Sequence, residues 1–319
     1  MDALSETLSV VQLVRAVFID AQFTAPWYYQ SSPDQSRTPM VELGTERVIH
    51  FHVVTEGECM VEMEGHAPIA LALGDAIIFP QGHAHRLTSK QGLLPDEPTR
   101  LDMMLTRRPR QMVYGGGGAA TRLVCGYLAC DARMAKMMLA GLPALVKVNL
   151  CGSRAGEWLQ ASLRYALSET RVPRSGGAGV LVKLAEVLFS EVLRAYMEEA
   201  GNGHPGWLAG VSDRIVGNAL TALHKEPAHA WTLEELARKA GTSRSVLAKR
   251  FQKFVGTSPM QHLTRWRMLL AANMLRRTSA SLICIAEAVG YHSDTSFIRA
   301  FQREFGEPPA TWRRKVPCA

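Results

Sequence analysis

Four histidines and one glutamate fall at spacings that can bring ring nitrogens together. His50 and His52 are two apart in RVIHFHVV, and His83 and His85 are two apart in FPQGHAH. In a strand each pair shares one face, because side chains alternate with period two. Glu46 precedes the first pair. If the two segments meet across a closed sheet, His50 and His85 approach each other, with Glu46, His52 or His83 alongside. Three imidazoles and a carboxylate suit divalent zinc, iron, nickel or copper, whereas two imidazoles alone would not hold an ion firmly. The same histidines could instead line a ligand pocket or be hydrogen-bonded in a core. A second chemistry belongs to thiols. Cys59, Cys125 and Cys130 are candidates for sensing an oxidant, against a reading of all three as buried free cysteines. None of the six cysteines forms a CxxC pair, so no disulfide framework is expected.

The elements that must position these groups are short. Residues 8 to 130 hold β-like runs separated by Gly and Pro, the pattern of a sandwich or small barrel. In GDAIIFPQGHAH, Gly74 and Asp75 read as a turn, Ile77 to Phe79 as a strand, and Pro80 to Gly82 as another turn. The four consecutive glycines in PRQMVYGGGGAATR read as a mobile loop. From about residue 131 the period changes. EWLQASLRYALSE (157–169) predicts a helix. Leu181, Leu184, Ala185, Leu188, Phe189, Val192, Leu193 and Tyr196 then recur at three- and four-residue steps, predicting an amphipathic helix of about five turns. That stripe fits packing on its own domain or a homodimer seam over 181–197. EEAGNGHPGW (198–207) reads as a linker.

Bulk properties limit the function classes. A chain of 319 residues suggests two domains. Hydrophobic residues make up 47% and charged residues 20%, which is ordinary for globular cores. No apolar run approaches the ~18 residues of a membrane span, and the acidic start does not resemble a secretory leader. A cytoplasmic protein without a membrane partner is expected. Charge is unevenly placed. Residues 210–319 carry 17 Lys and Arg against 8 Asp and Glu, a net of +9, while the rest has 19 against 21. The basic third predicts an anionic partner, nucleic acid foremost.

That basic third contains a repeat. LARKAGTSRSVLAKRFQKFVGTSP (236–259) parallels IAEAVGYHSDTSFIRAFQREFGEPP (285–309), with Leu247 and Phe297, Phe251 and Phe301, and Gly256 and Gly306 each 50 apart. Each copy predicts a short helix with a small Ala237 or Ala286 where a neighbour crosses. Gly241 or Gly290 ends it in the left-handed conformation, Ser243 or Ser293 caps the next helix, and two large apolar residues bury one face of that helix. Arg244, Ser245 and Lys249, or Asp294, Thr295 and Arg299, lie opposite. This is helix-turn-helix architecture. The segment 260–277 reads as one connecting helix spanning roughly 27 Å, near the ~34 Å repeat of successive major grooves.

Residues 210–319 resemble the DNA-binding domain of the arabinose-regulator family, AraC/XylS, through WTLEELARKAGTSRSVLAKRFQKFVGTSP and IAEAVGYHSDTSFIRAFQREFGEPPATWRR. The resemblance implies that Arg244, Ser245, Lys249, Asp294, Thr295 and Arg299 face bases or phosphates of double-stranded DNA. Ala248 stands where many members carry a longer polar side chain, which implies a first unit that reads fewer bases. Asp294 suits a cytosine amino group and repels phosphates. Arg265, Arg267, Arg276 and Arg277 are expected to lie along the backbone or in solvent. Gly74, Pro80, Gly82 and His85 resemble the second motif of the cupin barrel, with Ser89 in place of its usual Asn. The first cupin motif is damaged: His50 stands where its Glu belongs, and the upstream His-x-His is missing.

The expected fold is therefore α+β and multidomain: a cupin-like jelly-roll barrel (1–130), trailing helices (131–200), a linker (201–210), and an all-α domain with two helix-turn-helix units (211–319). The expected function is a sequence-specific transcription regulator, more an activator than a repressor, and not an enzyme. It would respond to a small molecule, a metal ion or an oxidant, and as an activator it would meet RNA polymerase. The alternative is a metal-dependent cupin enzyme, an oxygenase or isomerase, carrying a DNA-binding tail.

Overall fold

The computed structural model describes residues 4, 13–31, 46–90, 92, 111–131, 139, 142–151, 155–172, 174–200 and 207–315. The chain divides into two compact units, one of residues 12–199 and the other containing residues 200–319.

The first unit is two facing sheets with helices on the larger one. Its strands are β1 (Leu13–Thr24), β2 (Tyr28–Gln30), β3 (Glu46–Glu56), β4 (Cys59–Glu62), β5 (Ile69–Leu71), β6 (Asp75–Phe79), β7 (Arg86–Thr88), β8 (Gln111–Gly115), β9 (Ala120–Asp131) and β10 (Val146–Asn149). A six-stranded sheet has the order β10-β6-β3-β9-β1-β8, and a four-stranded sheet the order β2-β7-β4-β5. Among the described residues no strand pairing joins the two sheets, so the cupin-like unit is a two-layer sandwich and not a closed ring. Its core is the apolar material that alternation sends inward: Ile19, Ala21 and Phe23 of β1, Val48 and Val54 of β3, Leu123, Cys125, Tyr127 and Ala129 of β9. The large sheet also takes β10, from beyond residue 130, which pairs antiparallel with β6 from Val146↔Ile78 to Asn149↔Asp75.

The tetraglycine is a packed turn, not the mobile loop its composition suggests. The amides of Gly116 and Gly118 donate to the carbonyls of Thr24 and Ala25, both at 2.9 Å, and that of Gly117 donates to Thr24 Oγ1 at 3.0 Å. A Cβ on Gly115 or Gly118 would collide with the backbone of Thr24 or Ala25. Glycine serves here for close approach between chain segments.

Helices α1 (Gly156–Arg171) and α2 (Gly177–Ala200) cover the outward face of the large sheet. Ala185, Leu188, Phe189, Val192 and Leu193 are buried within this unit. They form most of the stripe read as a dimer seam, and the stripe is spent on the helix's own sheet, because sheet and helix each have an apolar side to cover. Val180 and Val187 remain exposed.

The second unit is helical: α3 (Trp207–Ser212), α4 (Arg214–Lys225), α5 (Leu233–Lys239), α6 (Arg244–Val255), α7 (Pro259–Arg277), α8 (Leu282–Ala288), α9 (Asp294–Phe305) and α10 (Pro309–Lys315). Side-chain caps start these helices at Asp213, Thr232, Ser243, Ser258, Ser281 and Ser293. Ser258 and Gln261 form a reciprocal capping box before α7. Gly256 and Gly306 close α6 and α9 with φ of 75° and 76°. Of the expected linker, residues 201–206 lie outside the described residues.

Candidate functional site

Both helix-turn-helix units are built by the same local bonds. In the first, Gly241 has φ of 72°, its amide donates to Arg238 O at 3.0 Å, and Thr242 N donates to Ala237 O at 2.9 Å. In the second, Gly290 has φ of 83°, and the amides of Gly290 and Tyr291 donate to Glu287 O and Ala286 O at 2.9 and 2.8 Å. Ser243 and Ser293 then accept from Val246 N and Ser296 N, both at 3.4 Å. Leu247, Phe251, Phe297 and Phe301 are completely buried. They anchor α6 and α9 by one side and turn the other to solvent. Arg244, Ser245, Lys249, Asp294, Thr295 and Arg299 are all exposed there. Val246 is exposed beside them, an apolar group that the reading of charged and polar residues passed over.

Not every base of this unit faces outward. Arg250 is ion-paired with Asp213, which also caps α4 through Ile215 N and Val216 N. Desolvation pushes the Asp213 carboxyl up, but the Arg250 contact and the two amide bonds together outweigh it and leave the carboxyl below its usual range. Arg265 pairs with Glu304 at 3.9 Å. Arg267, expected on the DNA backbone or in solvent, is instead an internal strut. Its Nε donates to Pro227 O at 2.6 Å, Nη2 to His229 O at 2.9 Å, and Nη1 to Gly290 O at 3.4 Å. Gly290 lies so close to Ala228 that a Cβ would come within 2.7 Å of its Cα. The connecting helix thus pins the turn of the second reading unit to the loop before the first. Spacing alone could not show this, because three carbonyls from distant segments converge only on folding. A part-buried imidazole pair sits nearby: His224 Nε2 and His262 Nε2 are 2.9 Å apart, and desolvation brings the His262 pKa down to about 4.

In the first unit, β3 lies between β6 and β9, with His50 opposite Phe79 and Tyr127 and His52 opposite Ile77 and Cys125. His50, His52 and His85 converge between the sheets. His52 Nε2 and His85 Nε2 are 2.7 Å apart, and the His50 and His85 ring centroids are 5.5 Å apart. His85 is stacked on Phe79 at 3.6 Å. Its Nδ1 donates to His83 O at 2.9 Å, so its Nε2 accepts and His52 Nε2–H donates. Among the described residues, neither ring nitrogen of His50 has a hydrogen-bond partner, nor has Nδ1 of His52. Burial pushes the pKa of His50 down to about 4 and that of His52 to about 3, and holds His85 well below its ordinary value. All three are neutral at pH 7.

His83 does not join them. Residues 82–85 are irregular, not strand, so period two fails and His83 is exposed, 3.4 Å from Ala144 O. The side chain of Glu46 lies outside the described residues. The cupin fold implies a metal, but the donors among the described residues do not fit one. Two imidazoles are engaged with each other, and among the described residues no three His, Cys, Asp or Glu are grouped to hold an ion. The thiols are equally unsuited to rapid oxidation. Burial, first, and the carboxylates of Asp75 and Glu58 raise Cys59 to about 12, and burial raises Cys125 further still. Cys125 and Cys130, five apart on β9, point to opposite faces of the sheet. Ser89, in place of the cupin Asn, ties β2 to β7: its Oγ accepts from Trp27 N at 3.1 Å, and its N donates to Trp27 O at 3.0 Å.

A basic unit with two matched reading helices, joined to a cupin-like unit with its own core, defines a DNA-binding transcription regulator with a sensor domain. Comparison with known proteins agrees. The family profile described as Cupin matches residues 2–198, and the one described as Helix-turn-helix domain matches residues 236–315. An AraC-like transcription regulator of Streptomyces lividans is 35% identical over 275 residues, covering 86% of this chain and 89% of its own. The RCS-specific HTH-type transcriptional activator RclR of Escherichia coli K12 is 29% identical over 276 residues, covering 86% and 87%. The HTH-type transcriptional regulator AlkR of Acinetobacter baylyi is 26% identical over 318 residues, covering 99% and 100%. The chain belongs to the AraC-like transcription regulators, with a cupin N-terminal domain.

Proposed function

We propose that this protein is a cytoplasmic transcription activator that reads two adjacent major-groove segments of duplex DNA through α6 and α9. The observation that carries the reading is the matched pair of turns, each presenting its outward residues from the first turns of a buried-backed helix. Arg244, Ser245 and Lys249 address one groove segment, and Asp294, Thr295 and Arg299 the next. Arg299 and Lys249 offer donors to guanine edges or phosphates, and Asp294 accepts from a cytosine amino group. Activation brings RNA polymerase as a further partner, in keeping with the relative named an activator. Two copies pair through the outward side of α2, where Val180 and Val187 are exposed.

The cupin-like unit receives the signal. Of the three candidate signals, a small organic molecule is favoured, because the imidazoles do not form a metal-binding set among the described residues, Cys59, Cys125 and Cys130 are buried, and burial raises the first two thiols. The relatives are regulators, and no observation of this chain favours the metal-dependent oxygenase or isomerase reading. Genomic footprinting of the full chain tests the proposal, followed by titrations of Lys249→Ala and Arg299→Ala on the recovered site. A bipartite footprint is expected, with each substitution relaxing preference in its own half. Protection without sequence preference, or an unaltered footprint in both variants, overturns it.

A further inference from the structure

One residue of the first reading helix is accounted for by neither charge nor packing. Among the described residues of the helical unit, Val246 at 41% and Ile283 at 53% are the large apolar side chains left exposed. Ile283 lies on α8, a supporting helix. Val246 lies in the first turn of α6, its amide donating to the capping Ser243 Oγ at 3.4 Å. The N-terminal residues of a recognition helix are the ones that meet base edges. The core beneath α6 takes Leu247 and Phe251, with Phe254 and Val255 packed against it, and Val246 has no share in it. Helix stability does not call for valine there either, because a branched Cβ loses rotamer freedom in a helix.

The surroundings fit a short apolar reader. At about 3.6 residues per turn, the outward side of α6 runs Arg244, Ala248, Ser245, Lys249, Val246. The middle of that arc is small, Ala248 ending in a methyl group and Ser245 in a hydroxyl. Small side chains there let the helix sit deep in a groove, and depth is what a short valine needs to reach the floor. The next residue round, Arg250, is held back by Asp213. In α9 the matching positions are Ser296 and Ile298, so the two units present different shapes. An aliphatic side chain offers a phosphate no hydrogen bond. Of the four bases, thymine alone shows a methyl group in the major groove.

We propose that Val246 reads the 5-methyl group of a thymine in the half-site bound by α6. The contact is apolar burial beside the polar contacts of Arg244, Ser245 and Lys249. It rests on the reading of α6 as a groove-binding helix and adds a base identity to it.

The test uses the full chain and the site recovered by footprinting. Each thymine, on either strand, is replaced in turn by deoxyuridine, which lacks the methyl group and keeps every hydrogen-bonding atom. Gel-shift titrations are expected to find a thymine in one half whose replacement weakens the wild type about fourfold, the worth of one buried methyl group. Val246→Ala should bind the thymine and deoxyuridine forms of that position equally. Replacements in the other half should affect both proteins alike. Alanine is the better helix former, so this variant should melt no lower than the wild type. A bipartite footprint in which Val246→Ala retains every methyl dependence of the wild type, or in which the wild type has none, overturns this inference alone. Binding without any sequence preference overturns the groove-binding reading and the inference with it.

Discussion

Acid should loosen the cupin-like unit through its buried imidazoles. His50 and His52 are 3% and 2% exposed, with pKa values brought down to about 4 and about 3 from 6.5. A histidine with a depressed folded pKa contributes its full stability above the unfolded value. That contribution is lost as pH falls from about 6.5 toward the folded value, because the unfolded chain binds protons the folded one refuses. Between pH 7 and pH 5 each ring costs about 2 kcal/mol, and the two together about 4 kcal/mol before their mutual coupling. Against the ~5–15 kcal/mol of a typical domain, that is a large fraction. Hydrogen exchange of the full chain, corrected for intrinsic rates, reads β3 and β9 separately from the helical unit. Their opening free energy should fall by a few kcal/mol between pH 7 and pH 5. His50→Leu, which does not titrate, should flatten that dependence by about 2 kcal/mol. Equal protection of β3 and β9 at both pH values would refute the burial argument.

Other consequences are more local. Arg267→Met removes three bonds to carbonyls and should cost about 1–3 kcal/mol of helical-unit stability. It should also let the protein accept operators whose half-sites are moved apart by a base pair, which the wild type should reject in gel-shift titrations. Arg299→Ala should cost about 1–3 kcal/mol on the cognate site if the guanidinium reads a base edge, and far less on random DNA. Ser293→Ala removes the cap of α9 and should lower stability by about 1 kcal/mol in denaturant titrations of the helical unit. DNA affinity should fall with salt at a log–log slope of about −0.9 per phosphate contacted.

The helix-turn-helix pair was legible residue by residue because its signals are local. A glycine that must adopt positive φ, a serine cap two or three residues on, and two large apolar residues four apart are all read within a dozen positions. The cupin strand was legible over Ile77 to Phe79 for the same reason, although it begins at Asp75, which the sequence assigns to the preceding turn. His83 and His85 were read as sharing a face because period two was carried past the end of that strand into an irregular turn. The tetraglycine was misjudged because glycine signals both freedom and close approach, and only the Thr24–Ala25 backbone beside it tells them apart. The α2 stripe was visible as a stripe, but a stripe does not name the surface it covers.

The order of residues alone therefore determined the two reading helices, their exposed faces and the basic character of the unit that carries them. Each of these follows from spacing within a few turns of chain. Tertiary structure decided that Arg267 is a strut and that His52 bonds His85 in a neutral core. Those facts depend on which distant segments meet. Burial and hydrogen bonding, which set charge state, exist only once they have met.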